Sequence, residues 1–370
     1  MTVGLDERYR LDVLDEVDSP ALLVFPEVIA QNIDRAVAMT DTPQGNCLRP
    51  HIKTVKCREI VDMALARNIT RFKCSTVSEG EMLGAAGAAE VLLSYQLSAV
   101  KARRWRELCS LYPATEFASL IDNAVTARML SDLFFAHPQS VYIDVNVGMD
   151  RTGIRPAEVM QLLEQVVALS GIRVRGLHVY DGHIRDTETE VREVRTAAVY
   201  REVDALRKEA GPLLGDLELV MAGSPTFPYY IGKPNTTVSP GTFYLWDAGY
   251  GKQFPELPFE PAALILSRII SIIDEHTICF DLGSKAVAAD PPQPRVVFPK
   301  IDHYEIRLQS EEHLVLTVPD SRRYRVGQAF YAIPWHVCPT VNLYEELLPV
   351  IDGKVEEPWS VVARNRRITV

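Results

Sequence analysis

The chain has 370 residues, 47% of them hydrophobic and 24% charged, and a formal net charge of −10 at pH 7. That length and apolar content suffice for a sizeable core in one large domain or two ordinary ones. The acidic balance argues against a nucleic-acid backbone or an anionic membrane surface as partner, because both select a basic face, although one basic pocket for a small anion is compatible with it.

Taken in chain order, the first twenty residues are acidic and contain no apolar signal-peptide core. ALLVF near residue 21 reads as a strand. From there to residue 257, short β-rich runs alternate with helical patterns. The expected strands are CLRPHIK (47–53), RFKCST (71–76), VLLSY (91–95), TEFASLI (115–121), SVYIDVNV (140–147), RVRGLHVY (173–180), LELVMAG (217–223) and TVSPGTFYL (237–245). Between most of them lie helical stretches such as EGEMLGAAGAA and NAVTARMLSDLFF. RTAAVYREVDALRKEA has the clearest three-to-four apolar spacing, and the seventh link, FPYYIGKPN, is short and weakly helical. Eight β/α units predict an α/β fold, an eight-stranded parallel β/α (TIM-like) barrel, over 25–257. No GxGxxG follows the first strand, which disfavours a dinucleotide fold. Beyond residue 258, ALILSRIISIID, TICFDLG, YEIRLQS, HLVLTV, QAFYAIP and WSVVARN read as antiparallel strands. The expectation is a C-terminal antiparallel β-domain over 258–370, with 1–24 packed on it. Its apolar runs, interrupted by Arg268, fall short of a membrane span. Six scattered cysteines with no CxxC pair suit a reduced, cytoplasmic protein.

Chemistry in a β/α barrel sits at the C-terminal ends of the strands. The residues expected there are Lys53, Arg151, Tyr180, then Gly223, Ser224 and Thr226, and finally Gly241 and Thr242. Each alone is an ordinary loop or turn residue; together they fit pyridoxal 5'-phosphate. A lysine amine can form a Schiff base with its aldehyde. Gly-rich turns helped by Ser and Thr hydroxyls can hold its phosphate. An arginine can offset the charge of a phenolate or a substrate carboxylate.

These residues also carry a resemblance. The chain resembles the fold-type III pyridoxal-phosphate enzymes, in particular the D-threonine aldolase and D-serine dehydratase group related to alanine racemase. RPHIKTVK (49–56) looks like that group's RPHxKTHK motif, which implies Lys53 as the cofactor lysine. DVNVGMDRTGI (144–154) implies Arg151 near the cofactor phenolate, GLHVYDG (176–182) implies Tyr180 near the pyridine nitrogen, and SPGT (239–242) resembles a phosphate-binding turn. DLGSKAVAAD (281–290), SEEH (310–313) and PWHVCPTVNL (334–343) resemble three further signatures of the group. The last implies a divalent metal, Mn or Zn, on His336 and Cys338, which on an extended chain point to one side. Three positions depart from the pattern. Val55 stands for the KTHK histidine, Trp335 for a common Asn or Ser, and Ser239 for the racemase arginine that bonds the pyridine nitrogen.

The resemblance implies a metal-dependent lyase acting on a small D-amino acid, with a homodimer as the assembly. Retro-aldol cleavage of a D-3-hydroxy amino acid, such as D-threonine to glycine and acetaldehyde, is the favoured reaction. D-serine dehydration uses the same parts and is the alternative. A non-catalytic cofactor carrier is disfavoured by the C-terminal domain with its HVC motif. An amino-acid racemase is disfavoured by the lack of an evident second acid-base residue.

Overall fold

A computed structural model describes residues 5–42 and 45–370. The chain divides into two compact units. One comprises Met1–Arg35, Thr54–Ile60 and Thr242–Val362; the other comprises Ala36–Lys53, Val61–Gly241 and Ala363–Val370.

The first strand, Ala21–Val24 (β1), belongs to the first unit. The second unit is built on seven parallel strands curled into a half-barrel and joined in sequence order. They are Arg71–Cys74 (β2), Glu90–Gln96 (β3), Glu116–Ile121 (β4), Gln139–Val145 (β5), Ile172–Val179 (β6), Glu218–Met221 (β7) and Thr236–Val238 (β8). Covered on both faces, such strands read as apolar runs rather than alternating ones, and every residue of β5 is buried. Two of the helices between them begin at side-chain caps: Thr76 accepts from the Glu79 amide, and Asn123 from the Thr126 amide at 2.8 Å. The expected long helix runs from Thr189 to Leu214, with Pro212 in its last turn.

Two of the eight expected strands come out differently. Residues 47–53 form isolated bridges, Leu48 to Val238 and His51 to Lys73, rather than a continuous strand. Pro50 has no N–H to give a ladder. Its carbonyl accepts from the Lys73 amide at 2.9 Å, while the Arg49 and His51 amides reach the carbonyls of Val238 and Pro240 at 2.8 and 2.9 Å. The last strand stops at Val238, because Pro240 interrupts it, and Thr242–Tyr244 is a 3-10 turn.

The first unit holds a mostly antiparallel ten-stranded sheet. Its long strand Ala263–Asp274 (β9) pairs with β1, with Thr277–Phe280 (β10) and with the β14 strand named next. The others in chain order are Val296–Val297 (β11), Glu305–Gln309 (β12), Leu314–Thr317 (β13), Ala329–Pro334 (β14), Glu346–Ile351 (β15), Lys354–Val355 (β16) and Trp359–Ser360 (β17). Strand β15 pairs parallel to β1, the exception to the antiparallel rule, and it was not expected from the sequence. WSVVARN keeps only two strand residues before Val362–Arg364 turns into a 3-10 helix. Among the described residues no helix is long and apolar enough to cross a membrane.

Candidate active site

In the second unit, Lys53 lies in the 3-10 turn Ile52–Thr54 rather than at the end of a strand, and it is half-buried. Its amide donates to Nδ1 of His51 at 3.3 Å, whose Nε2 meets the Ser94 hydroxyl at 3.2 Å. The Gly241 turn packs directly on this segment. A Cβ there would stand 2.6 Å from the His51 carbonyl oxygen, so glycine is required. The Gly241 amide donates to the Ser224 hydroxyl at 3.2 Å. Gly223 and Ser224 follow Ala222, which holds a left-handed φ of 73°. Such strain in a non-glycine residue is characteristic of functional turns. Gly223 donates to the Thr226 hydroxyl at 3.3 Å, and that hydroxyl donates to Asp181 at 2.8 Å, so Thr226 braces the turn. Ser239 is buried, and among the described residues its hydroxyl has no hydrogen-bond partner. Tyr180 directly follows β6, and the exposed Arg151 guanidinium lies 5.1 Å from its ring centroid.

The fold adds residues to this region that the motifs did not single out. Lys73 on β2 is buried, and its amine is 3.4 Å from Nε2 of His178 on β6. His178 Nδ1 is 2.7 Å from Asp144 on β5, its partner in the strand register. Burial, then the Lys53 charge, pull the Lys73 ammonium down to about 7. Burial, then Lys73, also lower His178, while Asp144 stays below the ordinary carboxylate range because its bonds to His178, Thr152 and Gln96 outweigh burial. Asp181 is likewise buried, accepting from Thr226 and from the Tyr230 hydroxyl at 2.7 Å, and burial raises it. The signal for Lys73 was present: a lysine between Phe72 and Cys74 inside an otherwise buried strand.

In the first unit the three C-terminal motifs converge. Amides of Ser284 and Lys285 reach the carbonyls of Ser310 and Glu311 at 2.9 and 3.0 Å, and Ala288 donates to the Thr340 hydroxyl at 3.1 Å. His336 is extended, but Cys338 lies in the short helix Val337–Val341, so a helical turn rather than a straight strand brings the two side chains into hydrogen-bond contact. Asp247, buried and pushed up to about 6 by burial, accepts from the amides of Tyr250 and Val337 and holds that turn. His336 Nδ1 is 2.6 Å from Asp290. Burial works against the charged imidazole, but Cys338 and Asp290 carry it to about 9. The Cys338 sulfur is 3.1 Å from the Thr54 hydroxyl and 3.6 Å from that of Thr242. Thus Thr242, expected beside a phosphate, contacts the Cys338 sulfur of the HVC segment.

The residues fit both implied groups. The Ser224 and Gly241 turns suit a phosphate, the buried Ser239 hydroxyl, without a partner among the described residues, leaves a polar atom for the rest of a cofactor, and Lys53 supplies an amine on the segment that Gly241 contacts. Among the described residues no three His, Cys, Asp or Glu side chains gather around one point. An imidazole–thiolate pair with a carboxylate behind the imidazole is nevertheless a donor set suited to Zn or Mn with open positions.

The chain matches the family described as "Alanine racemase, N-terminal domain" over residues 26–246, and "Putative serine dehydratase domain" over residues 262–350. It is 29% identical to a D-threonine aldolase of Arthrobacter sp. over 95% of this chain and 94% of that one. It is 25% identical to a 3-hydroxy-D-aspartate aldolase of Paracoccus denitrificans, covering 98% and 94%. The crystal structure of a D-threonine aldolase from Filomicrobium marinum superposes with a TM-score of 0.82 at 27% identity, covering 95% of this chain and 97% of that one.

Proposed function

The chain belongs to the alanine racemase N-terminal domain family, among the fold-type III pyridoxal-phosphate enzymes, and from that premise we propose a lyase that cleaves D-3-hydroxy amino acids between Cα and Cβ. The whole-length likeness to a D-threonine aldolase is the observation that carries this reading.

Lys53 would hold the cofactor, its amine being the group that can bond the cofactor aldehyde. The Ser224 and Gly241 turns would hold the phosphate. Gly223 belongs to the Ser224 turn, and Thr226 keeps it in shape by tying it to Asp181. Arg151, beside the Tyr180 ring, offers a cation to an anionic oxygen of cofactor or substrate. When bound, pyridoxal phosphate supplies the electron sink for the cleaved bond. His336 and Cys338 would hold a divalent metal, Mn or Zn, with Asp290 fixing the imidazole through Nδ1. Such a metal supplies Lewis acidity toward the substrate hydroxyl. Thr242, close to Cys338, belongs with that centre.

Dehydration of D-serine is the second reading, favoured by the match of residues 262–350 to a serine dehydratase domain. Supplying D-threonine and D-serine separately, with cofactor and Mn²⁺ or Zn²⁺, distinguishes the two. Acetaldehyde without ammonia from D-threonine, abolished by a chelator, is the expected outcome. Pyruvate and ammonia from D-serine would replace it with the dehydratase. Lys53→Ala is expected to lower either activity by about a thousandfold or more and to remove the cofactor–lysine absorbance.

A further inference from the structure

Lys73 is a buried cation that the reaction described above does not use. Its exposure is 2%. Among the described residues its amine has one hydrogen-bond partner, an imidazole nitrogen, and no carboxylate at ion-pair distance. A buried ammonium without a carboxylate costs stability, so packing alone gives no reason for a lysine here. The charged groups around it are Lys53, Arg49, Asp144, Asp181 and His178, with the Tyr180 ring centroid 6.0 Å away and His51 as its bridge partner. Arg49 is engaged by Glu90 and Glu218, Asp181 by Thr226 and Tyr230, and Asp144 by His178 and Gln96.

The Asp144–His178 bond decides what Lys73 can do. An ionised Asp144 keeps the proton on Nδ1, which leaves Nε2 as an acceptor. Lys73 can donate to that nitrogen as an ammonium or as a neutral amine. Its proton can therefore leave and return without breaking the contact.

We propose that Lys73 is a positioning residue for Lys53: a second amine, held by the Asp144–His178 pair, that adds or withdraws a positive charge near the cofactor lysine. This rests on Lys53 as the cofactor lysine. Burial, the largest cause, does not depend on Lys53 being free, so Lys73 stays below the ordinary lysine range when Lys53 carries the cofactor, and its contact with His178 is kept in either state. Coulomb coupling is reciprocal, and the same charge acts on whatever Lys53 holds.

The test reconstitutes wild type, Lys73→Met and Lys73→Arg with pyridoxal phosphate and follows the cofactor–lysine absorbance and the cofactor dissociation constant against pH. Wild type is expected to show a step below the ordinary lysine range in both. Lys73→Met should lose the step and stay at the high-pH level of wild type. Lys73→Arg should also lose it but stay at the low-pH level. The two variants should differ about tenfold in cofactor affinity at neutral pH. A wild-type step that persists in Lys73→Met, or two variants that coincide, overturns the inference. If Lys73→Met does not fold, lysine NMR of the wild type and of His178→Gln replaces it. One lysine signal should titrate near neutral pH and move in the His178 variant; its absence overturns the inference equally. Borohydride trapping and peptide mapping test the premise separately: cofactor found on a lysine other than Lys53 overturns the reading of the site itself.

Discussion

Arg49 and Lys73 are both almost fully buried within the parallel unit, at 1% and 2% exposure, yet their surroundings differ in kind. Arg49 reaches Glu90 at 2.9 Å and Glu218 at 3.0 Å. Glu218 also accepts from Tyr142 at 2.6 Å and Thr237 at 2.9 Å. Although burial works to raise it, Arg49 and these bonds hold Glu218 below the ordinary carboxylate range. Among the described residues Lys73 has the His178 nitrogen as its one hydrogen-bond partner, and burial destabilises its ammonium. The same degree of burial thus goes with two carboxylates at ion-pair distance in one place and, among the described residues, none in the other. Paired charge serves structure, while unpaired charge is the kind of perturbation that clusters at functional sites.

The largest test of that contrast is stability. Arg49→Met leaves a buried Glu218 carboxylate with only the longer 3.9 Å contact to Arg71 as an ion pair among the described residues, and should cost about 3 kcal/mol, read as a fall in the urea midpoint. Lys73→Met strands no carboxylate and should stay within about 1 kcal/mol of wild type or exceed it. Equal losses in the two variants would break the comparison.

Gly241→Ala comes next. Its Cβ would meet a backbone oxygen of His51, which cannot swing aside as a side chain could. Forcing such a contact costs about 1–3 kcal/mol, and here it should appear as roughly tenfold or greater weakening of cofactor binding in equilibrium dialysis, because the displaced segment leads to Lys53.

The smallest effect is a pair of opposite pH dependences. Glu218 has a lowered folded-state pKa, so it contributes stability that is present above its ordinary value of 4.5 and lost as pH falls through the lowered one. Asp181 is raised by burial above its ordinary value of 3.8, so its ionised form weakens the fold at neutral pH, and that cost disappears as pH falls through the raised value. Glu218→Gln should therefore destabilise at neutral pH and flatten the acid loss. Asp181→Asn should leave neutral stability equal or higher and steepen the acid loss slightly. Urea titrations at several pH values distinguish the signs.

Much was legible in the amino-acid order because it is written locally. Alternating apolar runs and helix caps give the β/α succession of 71–238, and β-branched runs between turn residues give most strands beyond 262. The Lys53 segment, the turns at Gly223 and Gly241, and the His336–Cys338 pair were readable as contiguous motifs. Local reading failed where a neighbour in space decides the outcome. Pro50 and Pro240 cut two strands short, and β15 finds its place only because it pairs with β1. The meeting of Lys73, His178 and Asp144, the brace of Asp290 on His336 and the support of Asp247 join residues 34 to 105 positions apart. Strand register and packing set those encounters, and register is a property of several strands at once. The sequence by itself therefore determined which contiguous motifs carry side chains suited to pyridoxal-phosphate chemistry. Only the tertiary structure decided which buried charges would find a partner, because pairing depends on distances that no local pattern encodes.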